Sequence, residues 1–322
     1  MHRRQFIASS VAMTATMAVP AWAQTYPERP IHITQGFAAG GNADVIARLI
    51  GNEMARKLGQ PLVVDAQPGA GGTLAAGNVA RSKPDGYNLL LATGGHAVAG
   101  ALYSKLPYRT VESFEMVSTI TFFPFLLVVR ADSRYRNLQD VLSDAKAKPG
   151  AVAFGSAGVG STHHLAGELL GIMTKVELLH VPYRGDSAST TALLGEEVPM
   201  TVAPPTAVLQ HIKAGKLRAI AVSSAQRWAQ MPDLPTIAEQ GVAGYDVRSW
   251  AGVMAPAGTP RAVIDRLSAE VAQAIKQPNV RASLEEMGGE VRSSSPEEMK
   301  TMVAAELARW TRLVAERNIP RE

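Results

Sequence analysis

Short apolar runs alternate with amphipathic stretches through most of this chain, and that rhythm constrains the fold more than any other feature. The runs PIHITQ (30–35), PLVVDA (61–66), YNLLLAT (87–93), AVAFGS (151–156), VELLHV (176–181), PMTVA (199–203) and LRAIAV (217–222) read as strands. Between them apolar residues recur near every 3.6 positions, as at Val45, Ile46, Leu49, Ile50 and Met54. Such alternation predicts an α/β fold with largely parallel sheets. A chain of 322 residues is too long for one comfortable core and suits two domains, and its 46% hydrophobic content excludes disorder.

The longest apolar run, FFPFLLVV from Phe122 to Val129, is far short of the ~20 residues a membrane-spanning helix needs, and Pro124 interrupts it. It reads as a buried strand. The N-terminus differs: basic MHRRQF, apolar FIASSVAMTATMAV and then AWA form an export signal, with cleavage expected after Ala23 and a mature chain from Gln24. Arg3-Arg4 before Gln5-Phe6 also suits the twin-arginine route, so the export route stays open. The absence of cysteine excludes disulfides, thiolate metal sites and a lipid-anchoring Cys, and it fits the bacterial periplasm. Loss of the signal removes two arginines from 32 basic side chains and leaves all 28 acidic ones. That near-balance gives no electrostatic case for nucleic acid or membrane-surface binding.

Toward the C-terminus, Thr259-Pro260 and Ser295-Pro296 are helix starts, and Ser295 with Glu298 makes a capping box. Met299, Met302, Val303, Leu307, Trp310 and Leu313 then form one apolar stripe, expected to be a packing face.

Three glycine turns each follow an expected strand and open a helix: GFAAGGNADVIARLI (36–50), QPGAGGTLAAGNVAR (67–81) and FGSAGVGSTHHLAGELL (154–170). A helix start leaves N–H groups unpaired and carries positive partial charge, which suits a carboxylate or phosphate. One such turn is usually a connection, but several at the strand ends of one α/β chain point to an anion-binding cleft. Nucleotide motifs fail, because no turn has the Lys of a P-loop and neither GSAGVG nor GAGGTL keeps the dinucleotide spacing. Ser156 and Ser161 lie outside G-x-S-x-G, with Phe154 and Val159 two positions before them. His164 and Glu168 lack a third metal ligand and read as an ordinary helix pair. No catalytic constellation, cofactor or metal site is expected, and a hydrolase or isomerase of organic acids is the weaker alternative.

Taken in order, YPERPI, GFAAGGNADVIAR, QPGAGGTLAAGNVARSKPDGY, GSAGVGSTHHLAGELL, HVPYRGDSAST, PDLPTIAEQG and SWAGVMAPAGTP resemble the tripartite tricarboxylate transporter receptor family, also called the Bug family of periplasmic solute-binding proteins. The resemblance covers essentially the whole mature chain. It implies a type II periplasmic-binding-protein fold, two α/β domains joined by crossing segments near 125–128 and 247–253, with the ligand cleft between them. Domain 1 would hold 24–126 and 248–322, and domain 2 would hold 127–247. It also implies a small carboxylate ligand (a di- or tricarboxylate, an aromatic acid or an acidic amino acid), and membrane transporter subunits as partners. The chain is expected to act as a monomer, with ligand presentation to a sensor as the alternative role.

In this family backbone amides of two loops gather the carboxylate, which here correspond to 37–43 and 156–162. Gly40, Gly41 and Asn42 are expected to offer amides to one carboxylate oxygen, flanked by Phe37, Ala39 and Ala43. Asp44 is expected to partner the helix dipole or amides, because it would repel a carboxylate ligand unless that ligand carried an amino group. Ser156, Gly158, Gly160, Ser161 and Thr162 are the opposing donors, with Ser161 equally readable as a helix N-cap. Thr93 and His96 would line the cleft floor and Tyr183 would shield it, whereas Arg184 reads as solvated. Two departures weaken a guess at the exact ligand: Ala38-Ala39 stand where proline often precedes the glycine pair, and Pro199 stands where Asp is usual.

Overall fold

The computed structural model describes residues 26–316 and 319–321; the expected export signal lies outside them. All of the expected strands form. The first half of the chain gives β1 (Ile31–Gln35), α1 (Asn42–Leu58), β2 (Leu62–Ala66), α2 (Thr73–Ala80), β3 (Asn88–Thr93), α3 (Gly95–Leu102), β4 (Phe114–Pro124), β5 (Leu126–Arg130) and α4 (Leu138–Ala147). There follow β6 (Val152–Ser156), α5 (Thr162–Thr174), β7 (Leu178–Pro182), α6 (Asp186–Leu194), β8 (Met200–Ala203), α7 (Pro205–Lys213) and β9 (Leu217–Val222). The last part holds β10 (Arg248–Pro256), α8 (Arg261–Ala274), α9 (Pro278–Glu286), β11 (Glu290–Val291) and α10 (Pro296–Glu316).

Two sheets result, with strand orders β11-β4-β10-β3-β1-β2 and β7-β6-β8-β5-β9. They are mixed, which corrects the expectation of largely parallel sheets. β1 runs parallel to β2 and β3, and β6 runs parallel to β7 and β8. β10 is antiparallel to β3 and β4, and β5 is antiparallel to β8 and β9. The reversed strands are those that carry the chain from one sheet to the other, and no helical crossover obliges them to run parallel. FFPFLLVV is likewise two strands. Pro124 ends β4, and after Phe125 the chain enters the other sheet as β5; proline has no N–H with which to extend a ladder.

Ser223 stitches the two crossings together. The Phe125 amide donates to Ser223 Oγ at 2.8 Å, and that hydroxyl donates to the Val247 carbonyl at 2.6 Å. The backbones pair as well, Ser223 N to Phe125 O and Val247 N to Ser223 O, each at 2.9 Å. Packing follows the strand period of two. Leu127 and Val129 join the large core of Ile31, Ile33, Ile46 and Phe154, while Leu126 and Val128 join Leu193 and Val208 in another cluster. On α10 the capping box forms in both directions, Glu298 N to Ser295 Oγ at 3.1 Å and Ser295 N to Glu298 Oε2 at 2.7 Å. Met299 and Val303 pack with Trp250 and Met254, and Trp310 joins the large core, as the stripe requires. Thr259 does not cap α8: its hydroxyl donates to the Pro256 carbonyl, and Pro260 holds the cap position.

Candidate functional site

Five helices begin around one small cavity of about 30 Å³. Asn42 and Ala43 come from α1, Gly95 from α3, Ser161, Thr162 and His163 from the start of α5, Asp186 from α6, and Pro204 from the cap of α7. Each of these helices follows directly on a strand: β1, β3, β6, β7 and β8 in turn. The cavity therefore lies beyond the carboxyl ends of strands from both sheets, where α/β folds place ligands. Phe37, Thr93, Phe123 and Ser249 complete the wall, which among the described residues contains no Lys or Arg. A helix start carries roughly half a positive charge and unpaired amides, so the cavity favours an anion without any basic side chain.

The amides themselves are free. Gly41 caps α1 without a side-chain bond, and the Asn42 and Ala43 amides have no acceptor among the described residues. On α5, Ser161 Oγ accepts from His164 N at 3.3 Å, which leaves the Thr162 and His163 amides unpaired. Side-chain atoms are unpaired too. Thr162 Oγ1 and both His163 ring nitrogens make no hydrogen bond, although these residues are only 3% and 8% exposed. Asp186 Oδ1 lies 3.0 Å from His163 Nε2, an ion-pair distance, yet without hydrogen-bond alignment. The two groups are each other's partners across the wall of the cavity.

The structure gathers Phe37, Asn42, Ala43, Thr93, Ser161 and Thr162 at this cavity and sends the other expected residues elsewhere. Gly40 and Gly41 border a neighbouring cleft of about 410 Å³. Their amides are already used, Gly40 N by Asp44 Oδ2 at 3.1 Å and Gly41 N by the Ala38 carbonyl at 3.2 Å. The Gly40 and Gly41 amides are thus taken while those of Asn42 and Ala43 are free, and Ala39 is exposed at the loop tip. Asp44 is held by the Arg48 guanidinium at 2.9 and 3.1 Å. Burial raises its pKa, but the Arg48 bonds and the Gly40 amide together outweigh burial and hold the carboxyl below its ordinary value. It fastens the loop.

Ser156 is fully buried and points away, its Oγ 2.6 Å from His180 Nε2 and accepting from Gly158 N at 3.0 Å. His96 borders a separate cavity of about 20 Å³, donates from Nε2 to the Thr110 carbonyl at 2.9 Å and stacks on Tyr108. Gly158 and Tyr183 line a cleft of about 570 Å³ together with Arg184. Gly160 turns the second loop at φ +78°, and a Cβ there would stand 2.8 Å from the Tyr103 ring. The QPGAGG turn supports the first loop rather than lining the cavity, since a Cβ on Gly36 would lie 2.4 Å from Gly72 Cα. His163, Asp186, Phe123, Pro204 and Ser249 were not anticipated. His163 and Asp186 did lie within GSAGVGSTHHLAGELL and HVPYRGDSAST, and an acid directly after Gly185 at a helix start was the available signal. His164 is 3.8 Å from Glu168, and no group of three or more potential metal ligands occurs among the described residues.

A sequence profile described as tripartite tricarboxylate transporter family receptor matches residues 46–319. The chain belongs to this family. A Pseudomonas sp. (strain P51) protein from the tcbD-tcbE intergenic region is 38% identical over 315 residues, covering 98% of this chain and 94% of its own. BugT of Bordetella pertussis is 35% identical over 305 residues, 94% of each chain. Among solved structures, Rpa4515 of R. palustris with adipate has a TM-score of 0.88 at 34% identity, covering 92% of this chain and 100% of its own. MatC from Rhodopseudomonas palustris with bound malate has a TM-score of 0.86 at 34% identity, covering 90% and 100%. The periplasmic binding protein BugD has a TM-score of 0.87 at 33% identity, covering 92% and 100%. The fold of this family member is accordingly the periplasmic-binding-protein fold, two α/β halves with a cleft between them.

Proposed function

We propose that this chain is a periplasmic receptor that captures a small carboxylate and delivers it to the membrane subunits of a tripartite tricarboxylate-type transporter. One observation carries the reading: five helix starts surround a cavity whose wall lacks Lys and Arg among the described residues. Backbone amides then hold the anion, those of Asn42 and Ala43 from one half and those of Thr162 and His163 from the other. Relatives solved with adipate and malate favour a carboxylate over other anions. The signal at 1–23 exports the chain to the periplasm, where it works as a monomer.

A cavity of about 30 Å³ is far below the ~300–1,000 Å³ of common ligand sites, so the halves part to admit the ligand. The moving bodies are 24–126 with 248–322 against 127–247, hinged at Phe125 and the return crossing. The test is a thermal-shift screen of the mature protein against mono-, di- and tricarboxylates and acidic amino acids. Binding raises the melting point in step with ln(1 + [L]/Kd). Recovery of the bound acid unchanged supports a receptor over a hydrolase or isomerase, and no shift across the whole panel overturns the proposal.

A further inference from the structure

The loop 156–162 of the second half is tied to β7 by a closed ring of contacts that lies behind the cavity. Gly158 at φ +122° and Gly160 at φ +78° give this loop its turn but no side chains with which to pack. Hydrogen bonds therefore set its shape. Ser161 donates to the Gly158 carbonyl twice, from Oγ at 2.6 Å and from N at 3.2 Å. Gly158 N donates to Ser156 Oγ at 3.0 Å, and that oxygen lies 2.6 Å from His180 Nε2 on β7. The His180 ring stacks on His164, whose amide donates to Ser161 Oγ at 3.3 Å and closes the ring. The Ser156 proton has two acceptors within reach, His180 Nε2 and the Gly158 carbonyl. The carbonyl stands 3.4 Å away and already accepts twice from Ser161, so the proton goes to His180. Burial and the adjacent His164 lower the pKa of this ring to about 3, which keeps Nε2 an acceptor at neutral pH.

We infer that His180 is a positioning residue for ligand capture: through Ser156 and Gly158 it holds the loop from which Thr162 and His163 present their amides. His180 is not part of the cavity wall and acts only through that loop. The inference rests on the receptor reading above for what the amides hold.

Amide hydrogen exchange of the mature protein, with no added acid, tests the bracing. It compares wild type with Ser156→Ala, which lacks the hub, His180→Leu, which lacks the acceptor, and His180→Gln, whose side-chain oxygen accepts in place of Nε2. In Ser156→Ala and His180→Leu, residues 157–164 should exchange about tenfold faster, the worth of one buried hydrogen bond, while β9 keeps its rate. In His180→Gln the loop should exchange near the wild-type rate. An unchanged loop in the first two variants, an equal rise in β9, or a His180→Gln loop as fast as that of His180→Leu overturns the inference. Calorimetry with succinate, glutarate, citrate and benzoate tests the consequence for capture. An acid that binds wild type should bind His180→Leu at least about tenfold more weakly and His180→Gln almost as well as wild type. Equal affinity in His180→Leu overturns the inference and leaves the receptor reading intact. Should the variants fail to fold, the nitrogen shifts of the wild-type His180 ring decide, and a protonated Nε2 overturns it. Failure of all four acids to bind wild type counts against the receptor reading, and the exchange comparison still decides the bracing.

Discussion

His96, His164 and His180 show how burial decides what a residue can do beside this cleft. Burial lowers the pKa of His96 and of His164 to about 4, and burial together with the adjacent His164 lowers that of His180 to about 3. Each is therefore neutral when folded and protonates near 6.5 when unfolded. Below about 6.5 the unfolded chain binds more protons, so their contribution to stability is full above that pH and fades as pH falls toward the folded values. Glu168 and Glu306, raised by burial, act in the opposite sense above the ordinary carboxylate range, so a variant isolates the histidine part. The stability of wild type over His180→Gln, from urea denaturation, should be greatest above pH 6.5 and shrink toward pH 4; a constant difference contradicts the account. These roles were hidden in the sequence because a histidine's environment comes from distant elements, here the stack of His164 on His180 at 4.0 Å. The glycine pair was legible as a turn but not as donor or strut. Gly40 takes φ +79° while Gly41 has an ordinary φ of −77°, and neither amide is left free.

At the scale of elements, the crossings decide how the halves are coupled. Ser223→Ala would leave the Phe125 amide without its side-chain acceptor and the Val247 carbonyl without its hydroxyl donor, in a site where all three residues are at most 2% exposed. We expect a loss of about 1–3 kcal/mol in unfolding free energy by urea denaturation, the cost of stranding buried polar groups. An unchanged midpoint would show that the stitch is dispensable. Strands with a strong apolar pattern, such as β1, β3 and β9, were readable from local sequence. The direction of β5 and β10 was not, because no local pattern encodes which partner a crossing strand meets. β11, two residues long, carries no period at all.

At the scale of the whole molecule, one anion is proposed to bridge two halves through backbone donors, and proline can delete such donors singly. Asn42 and Thr162 are the first residues of α1 and α5. Proline is well tolerated at that position and lacks only the N–H. The residues before them, Gly41 at ψ 175° and Ser161 at ψ 156°, already have the extended backbone that a following proline demands. The decisive measurement is titration calorimetry of Asn42→Pro, Thr162→Pro and Arg184→Ala with the tightest carboxylate from the screen. Each proline should weaken binding by about ten- to a hundredfold, the worth of one charge-assisted amide contact, with melting temperature nearly unchanged. Arg184→Ala should cost less than about tenfold, as expected of a solvated side chain. Near-normal affinity in both proline variants, with a large loss in Arg184→Ala, would contradict the account and place the grip on a side chain instead of the helix starts.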